Sequence, residues 1–312
     1  MILCCGEALI DMVPVQSESG QAFLPLPGGA IFNTAIALGR LDVPTQFFSG
    51  VSQDLFGAQL AGALEKAGVG TETLVRSDRP TTLAFVALQD GQAHYTFYDE
   101  NSAGRMLGAD DAPDIGPNIT ALYFGGISLC ADPAASVYAD LALRAADDAA
   151  NHAVVMIDPN IRPGFIQDEP VYRKRLNEMM AVADIVKVSD EDLDWIIEGD
   201  ADHATKAQHL QALGAGLVIV TKGRDGACAY LRGGNCVSVS VPSVVVVDTV
   251  GAGDTFNAGF LAHLHDCGVL DKTALKTIDA ATVEHALGFA AKVAAVTVTR
   301  QGANPPYRSE IS

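Results

Sequence analysis

Within this 312-residue chain, the stretch Asp248-Thr249-Val250-Gly251-Ala252-Gly253-Asp254-Thr255-Phe256 holds the residue types best suited to chemistry. The apolar run Val244–Val247 leads into it and is expected to be a buried strand ending at Asp248. A helix is expected to start near Asp254. Gly251 and Gly253 let successive backbone N–H groups converge without a Cβ in the way. Converging N–H groups at a helix N-terminus, here those of Gly251, Ala252 and Gly253, make a site for an anion. A carboxylate at that spot would repel a bound phosphate unless a third group lies between them. A hydroxyl attacking a phosphoryl group is such a third group, and Asp254 would be its general base. Taken alone, Asp254 also reads as a helix N-cap after a glycine turn. The helix N-terminus is expected to keep the carboxylate ionised at neutral pH.

The elements that must position these groups show in the hydropathy pattern. Met1–Cys5, Ala121–Phe124, Val154–Ile157, Ile185–Val188, Leu217–Val220 and Val244–Val247 are short apolar runs that end abruptly in polar or Gly-rich loops. Runs of this kind fit strands buried on both faces of a mostly parallel sheet. Helix-like segments lie between them: Asn33–Leu41, Leu55–Ala67, Ala134–Ala150 and Val171–Ala181. Thr255–Cys267 would place Phe256, Phe260, Leu261 and Leu264 on one face. The alternation predicts an α/β, doubly wound sheet with ligands beyond the carboxyl ends of its strands. Thr81–Leu88 and His94–Tyr98 flank an Asp90-Gly91 turn signal and read as a hairpin. With Ala22–Leu26 it would form a small sheet standing off the main domain as a lid, and an ordinary surface hairpin is the plainer alternative.

Composition narrows the classes. Hydrophobic residues make up 49% and charged residues 19%, which suits a globular domain. Twenty basic against 38 acidic side chains give a net charge of −18, a field that repels nucleic acid and anionic membrane. Cys4, Cys5, Cys130, Cys228, Cys236 and Cys267 form no CxxC pair and are expected to be mostly buried, reduced thiols. The first residues carry no signal-peptide pattern, so a cytoplasmic location is expected. The histidines show no zinc-ligand spacing. No G-x-x-x-x-G-K-[ST] loop is present, which excludes a P-loop kinase, and no G-x-G-x-x-G follows the first strand.

Asp248–Leu261 resembles the C-terminal signature of the ribokinase-like (PfkB) family of carbohydrate kinases. Gly28-Gly29-Ala30-Ile31-Phe32-Asn33-Thr34-Ala35 resembles that family's N-terminal signature, with Ile31 replacing the usual proline. The resemblance extends from Gly6-Glu7 to Arg300-Gln301-Gly302-Ala303. Within the family it is greatest to bacterial fructokinases, through Ser77–Leu88, Tyr98–Leu107 and Ser189–Trp195. It implies a single ribokinase-like domain over residues 1–312, with lid segments near 12–27 and 79–106. It also implies transfer of a phosphoryl group from ATP to the terminal hydroxyl of D-fructose.

The resemblance also implies roles. Asp11, placed just after the first strand, and Gly28, Gly29 and Asn33 would meet sugar hydroxyls. Phe97, Asn101 and Arg105 of the lid would complete the sugar pocket. Arg162 would contact the transferred phosphoryl group. Lys187, Ser189, Thr221, Lys222, Gly223 and Gly226 would face the nucleotide, and the helix around Ala286–Val293 would wall its adenine. The family's Asn-x-x-Glu pattern reads Ser189-Asp190-Glu191-Asp192 here, so Asp192 would take the carboxylate's part near Mg²⁺. Asp248 and the Thr297–Gly302 loop match a family position for a monovalent cation, K⁺. The expected partners are a sugar and MgATP, with a second subunit able to cover the lid. Kinases of the family acting on 2-keto-3-deoxygluconate, ribose or a nucleoside are alternatives, as is a sensor that has lost catalysis.

Overall fold

Five of the six apolar runs become strands of one sheet. The computed structural model describes residues 1–18, 20–89, 92–147 and 152–311. Its strands are β1 (Ile2–Cys5), β2 (Leu9–Ser17), β3 (Gly20–Gly28), β4 (Thr45–Ser52), β5 (Leu74–Ser77), β6 (Leu83–Gln89), β7 (Gln92–Tyr98), β8 (Ala121–Gly125), β9 (Val154–Asp158), β10 (Ile185–Ser189), β11 (Leu217–Thr221), β12 (Ala227–Tyr230) and β13 (Cys236–Val239). Its helices are α1 (Ala30–Arg40), α2 (Leu55–Lys66), α3 (Ala134–Asp147), α4 (Glu169–Val182), α5 (Asp190–Ile196), α6 (His203–Leu213), α7 (Ala252–Asp266), α8 (Lys272–Lys276) and α9 (Ala280–Thr297).

The large sheet has the order β13-β12-β11-β10-β9-β8-β1-β4-β5. Its pairings from β11 through to β5 are parallel, and β12 and β13 close one edge antiparallel. Helices α1, α2, α7 and α9 pack on one face and α3, α4, α5 and α6 on the other. Cover on both faces explains why the central strands are mostly apolar rather than apolar at alternate positions. From β1 the chain proceeds through β4 to β5 at one edge, while β8 to β11 build toward the other. The loops after β1 and β8 therefore diverge, and a crevice opens between them.

A second sheet, ordered β3-β2-β6-β7, contains the expected lid hairpin. The Asp90-Gly91 turn lies outside the described residues. Asp11 belongs to this sheet rather than to the end of a central strand: it pairs with Leu26 of β3 and Ala84 of β6.

Several expectations need correction. Val244–Val247 is not a buried strand; its side chains are 39%, 83%, 57% and 62% exposed. The sheet edge it would have joined is already taken by the β12–β13 hairpin, and the segment instead runs beside the end of α9. There Val247 and Asp248 donate their N–H groups to Val298 O at 2.8 and 3.2 Å. Helix α1 begins at Ala30, three residues before Asn33, and α7 begins at Ala252. The cap of α7 is Gly251, whose φ of 77° only glycine adopts freely. Asp254 is thus the third residue of the helix, and no side chain caps it. Helix α3 ends at Asp147, and the expected extension to Ala150 lies outside the described residues. Cys236 and Cys267 are exposed.

Helix α7 is buried from Asp254 through Ala262 rather than along one stripe, because α1 and α9 flank it on the sheet. Gly259 sets the α7–α9 distance: a Cβ there would stand 2.8 Å from Ala290 Cα. Alanine is the better helix former by about 0.8–1 kcal/mol, yet overpacking a well-packed core costs about 1–3 kcal/mol. Gly259→Ala should therefore lower the thermal melting temperature. A variant that melts above the parent would show that α7 and α9 separate freely.

Candidate active site

The N-terminal turn of α7 and that of α1 face one cavity of about 370 Å³. By helix geometry the first-turn N–H groups of Gly253 and Asp254 have no carbonyl acceptor within α7. The Gly251 turn is kept open by its neighbours, since a Cβ there would come within 2.7 Å of Ala303 Cβ. Asp248 braces the same turn: its Oδ1 accepts from Val250 N at 3.0 Å and its Oδ2 from Gly302 N at 2.8 Å.

Asp254 is 9% exposed. Its Oδ2 accepts from Asn33 Nδ2 at 2.9 Å, and the Thr34 hydroxyl donates to its carbonyl at 3.1 Å. Burial, reinforced by the like charges of Asp158 and Glu7, pushes its pKa up to about 7, against the pull of Asn33 and Lys187. The expectation of a fully ionised carboxylate is thus corrected: burial outweighs the helix dipole. A carboxylate that titrates near neutrality suits a general base, because it can hold the proton it takes.

Beneath it lies a buried polar network. Lys187 donates to Asp158 Oδ2 at 2.8 Å, both residues being almost wholly enclosed. Asn257 donates to the same oxygen at 2.7 Å and to the Tyr123 hydroxyl at 2.8 Å. Shared hydrogen bonds of this kind make a buried ion pair tolerable. Asp192 accepts from Ile161 N at 3.1 Å, so it holds the loop that carries Arg162. Burial and the charge of Asp158 raise its pKa.

The cavity brings together Asp11, Gly29, Asn33, Phe97, Arg162, Lys187 and the Gly251–Asp254 turn. Burial pushes the Asp11 pKa up to about 6. Gly28 stands behind Asp11, where a Cβ would overlap its carboxylate. Asn101, at an exposed turn with φ of 58°, does not line this cavity. Arg105 lines a smaller neighbouring one and donates to Asp132 O at 3.4 Å. Residues the sequence reading left without a role also line it: Glu7, Ile127, Asp158, Asn160 and Phe165. Asp158 and Asn160 sit in a polar loop at the carboxyl end of β9, a placement the strand pattern already flagged. Asn160 takes a φ of 43°, a conformation asparagine tolerates better than most residues. Phe165 had no such signal. Its ring meets Phe97 of the small sheet at 3.9 Å between centroids and 79° between planes.

A second cavity, about 530 Å³, opens on the other side of the α7 turn. Thr221, Gly223 and Gly226 line one end of it; Lys222 and Ser189 do not. The Ser189 hydroxyl instead caps α5, accepting from Asp192 N at 3.0 Å. Of the expected Ala286–Val293 wall, Ala291 alone lines it, and the wall continues through Ala294, Ala295 and Val298. The other residues of that stretch turn into the core or away, because a helix shows one stripe to a cavity. Val244 and Val246 line the same cavity as Ala294 and Ala295, which accounts for the exposure of those two valines.

The chain matches the family described as "pfkB family carbohydrate kinase" over residues 1–310. It is 50% identical over 283 residues to a fructokinase of Rhizobium leguminosarum bv. trifolii, covering 89% of this chain and 84% of that one. A solved fructokinase from Xylella fastidiosa with bound ATP aligns with a TM-score of 0.90 at 34% identity, covering 99% of this chain and 96% of that one. A fructokinase from Vibrio cholerae O395, in a form with fructose, ADP and calcium ion bound, aligns with a TM-score of 0.82 at 26% identity, covering 97% and 94%.

The pKa of Asp254 generates a prediction in which chemistry and stability move in opposite directions. Its folded pKa lies above the unfolded value. Its favourable contribution is therefore present below about pH 4 and lost as pH rises to about 7. Above that, burying the charge costs about 4 kcal/mol, which an asparagine does not incur. Asp254→Asn should melt above the parent at pH 8, the gap closing toward pH 4, while kcat falls by about 10² or more. Asn33→Ala, which removes the amide that favours the charged form, should shift the acid limb of kcat/KM upward. Near-normal kcat in the first variant would end the general-base assignment.

Proposed function

Because the chain belongs to the pfkB family of carbohydrate kinases, we infer that it transfers the terminal phosphoryl group of ATP to the terminal primary hydroxyl of D-fructose. One observation carries this reading: the polar cavity and the apolar-walled cavity share Thr249, Ala252 and Gly253, with Asp254 facing the polar side. A sugar held by Asp11, Gly29 and Asn33 and a nucleotide lying along Thr221–Gly226 would meet at the first turn of α7.

The chemistry follows from those groups. Asp254 takes the hydroxyl proton as the new O–P bond forms and the bond to the ADP oxygen breaks. The α7 N–H groups, Arg162 and Lys187 meet the charge on the transferred group. The small sheet acts as a lid that keeps water from the phosphoryl group, with Phe97 against Phe165 as its clasp. The fructokinase names of the Rhizobium, Xylella and Vibrio relatives support fructose over ribose, a nucleoside or 2-keto-3-deoxygluconate. The intact Asp254 and glycine turn favour an enzyme over a sensor.

Two ions fit the donor sets. Among the described residues no group of three or more His, Cys, Asp or Glu side chains could hold a metal ion. That suits a Mg²⁺ that arrives on the nucleotide phosphates and keeps most of its waters, with Asp192 proposed as the protein carboxylate it meets. Such an ion would neutralise charge on the triphosphate. Asp248, which ties the loop before α7 to that after α9, is the proposed carboxylate for K⁺. The lid exposes Val15, Phe23, Leu24, Leu26 and Tyr98, a surface that suits a second copy of the chain. Among the described residues no helix is long and apolar enough to cross a membrane, and a cytoplasmic location accords with the metabolite substrates.

In a panel of fructose, ribose, 2-keto-3-deoxygluconate, glucose and adenosine, fructose should give the highest kcat/KM, and a clear preference for another member would overturn the assignment. Chelating Mg²⁺ should abolish turnover, and exchanging K⁺ for a bulky organic cation should lower kcat. Activity that survives either treatment removes that ion. Sedimentation should return a dimer, and a monomer would leave the lid surface without its proposed partner.

A further inference from the structure

At the point where the loops after β1 and β8 diverge sits a carboxylate for which catalysis has no direct use. Glu7 Oε1 accepts from Ala30 N, the first residue of α1, at 2.9 Å. Its Oε2 accepts from Ser128 N, in the turn after β8, at 3.2 Å. Three glycines close around this residue. A Cβ on Gly29 would stand 2.8 Å from Glu7 O and 3.2 Å from its Cγ, and a Cβ on Gly126 would overlap the carboxylate itself. Gly6, its chain neighbour, could carry no Cβ without meeting Ile31 of α1. Each segment is thus seated on Glu7 and not free to slide. Asn33, one turn along α1 from Ala30, is the residue that holds Asp254 Oδ2.

We propose that Glu7 is the positioning residue of the sugar site: its carboxylate locks the first turn of α1 to the loop after β8, and so sets where Gly29 and Asn33 stand relative to Asp254. The inference rests on the kinase reading above for the identity of the ligand, and on the hydrogen bonds alone for the hold on α1. The negative end of Glu7 also suits the N-terminus of an 11-residue helix. Burial raises the Glu7 pKa and its N–H donors lower it. Asp254 is faced by Glu7 after β1, Asn33 on α1, Asp158 on β9 and Lys187 on β10, with Asp11 and Arg162 across the cavity. Among these, Glu7 and Asp158 raise the Asp254 pKa by like charge.

Two variants test the proposal. Glu7→Ala removes both acceptors, and Glu7→Gln keeps the shape and one acceptor while removing the charge and turning the other acceptor into a donor. Loss of hydrogen bonds to a charged group should raise KM for the sugar about tenfold or more in Glu7→Ala, with KM for ATP changed by less than about twofold. In Glu7→Gln the acid limb of kcat/KM, and the titration of the Asp254 carboxyl followed by ¹³C NMR, should both move to lower pH. A parallel rise in both KM values with a lower melting temperature would make Glu7 a fold staple only and overturn the proposal. So would an unmoved sugar KM. If the parent phosphorylates no sugar, the kinase reading fails by itself. Amide hydrogen exchange at Ala30 and Ser128 in Glu7→Ala then decides: faster exchange at both upholds the hold of Glu7 on α1 and on the loop after β8, and unchanged exchange refutes it.

Discussion

Placing the Asp254 carboxylate in the first turn of a buried helix imposes two demands that pull against each other. The turn leaves N–H groups open to an anion, which requires glycines and an approach without side chains. The carboxylate must stay close to that anion and still be able to lose its proton. Burial and the like charges of Asp158 and Glu7 raise the Asp254 pKa, the Asn33 amide and the Lys187 cation lower it, and the balance lies at about 7. Most of the polar architecture beneath the site serves this balance. Lys187 is fixed by Asp158, Asp158 by Asn257, and Asn257 by Tyr123 on the strand next to β1.

A net charge of −18 would by itself disfavour a triphosphate. The site answers locally. Arg162, at the cavity mouth, is held by its loop, which Asp192 anchors through Ile161 N. Lys187, at its floor, is paired with Asp158 at 2.8 Å. The neighbouring cavity is walled by alanines and valines from α9 and from the extended segment before Asp248, which suits a flat base better than a phosphate. Charge and apolar surface are thus divided between the two sides of one helix turn.

The small sheet adds a third wall. Asp11 and Phe97 reach the cavity from β2 and β7, and Phe97 meets Phe165 of the main domain ring to ring. Strand β2 leaves the main domain directly after Glu7-Ala8. The residue proposed to clamp α1 is therefore four residues from Asp11, which lines the cavity, and the small sheet joins the main domain close to that cavity.

What the amino-acid order alone determined was local and periodic. Five of the six apolar runs without alternation are strands of a sheet covered on both faces, so the parallel sheet and the loops at its carboxyl ends were legible. The Gly251-Ala252-Gly253-Asp254 turn was legible because glycine spacing reports backbone geometry directly. The tertiary structure decided the matters that depend on distant neighbours. Val244–Val247 has the composition of a strand, yet with the sheet edge occupied it became the wall of a cavity. The ionisation of Asp254 depends on its enclosure by α1 and α7 and on Asp158 and Lys187 more than 60 residues away in sequence, and no local pattern encodes that. Phe165 and Glu7 gained their roles in the same way, from a ring and a carboxylate set against segments that meet only when the sheet has formed. Backbone conformation is written in neighbouring residues; electrostatics and cavity walls are written in whatever packs against them.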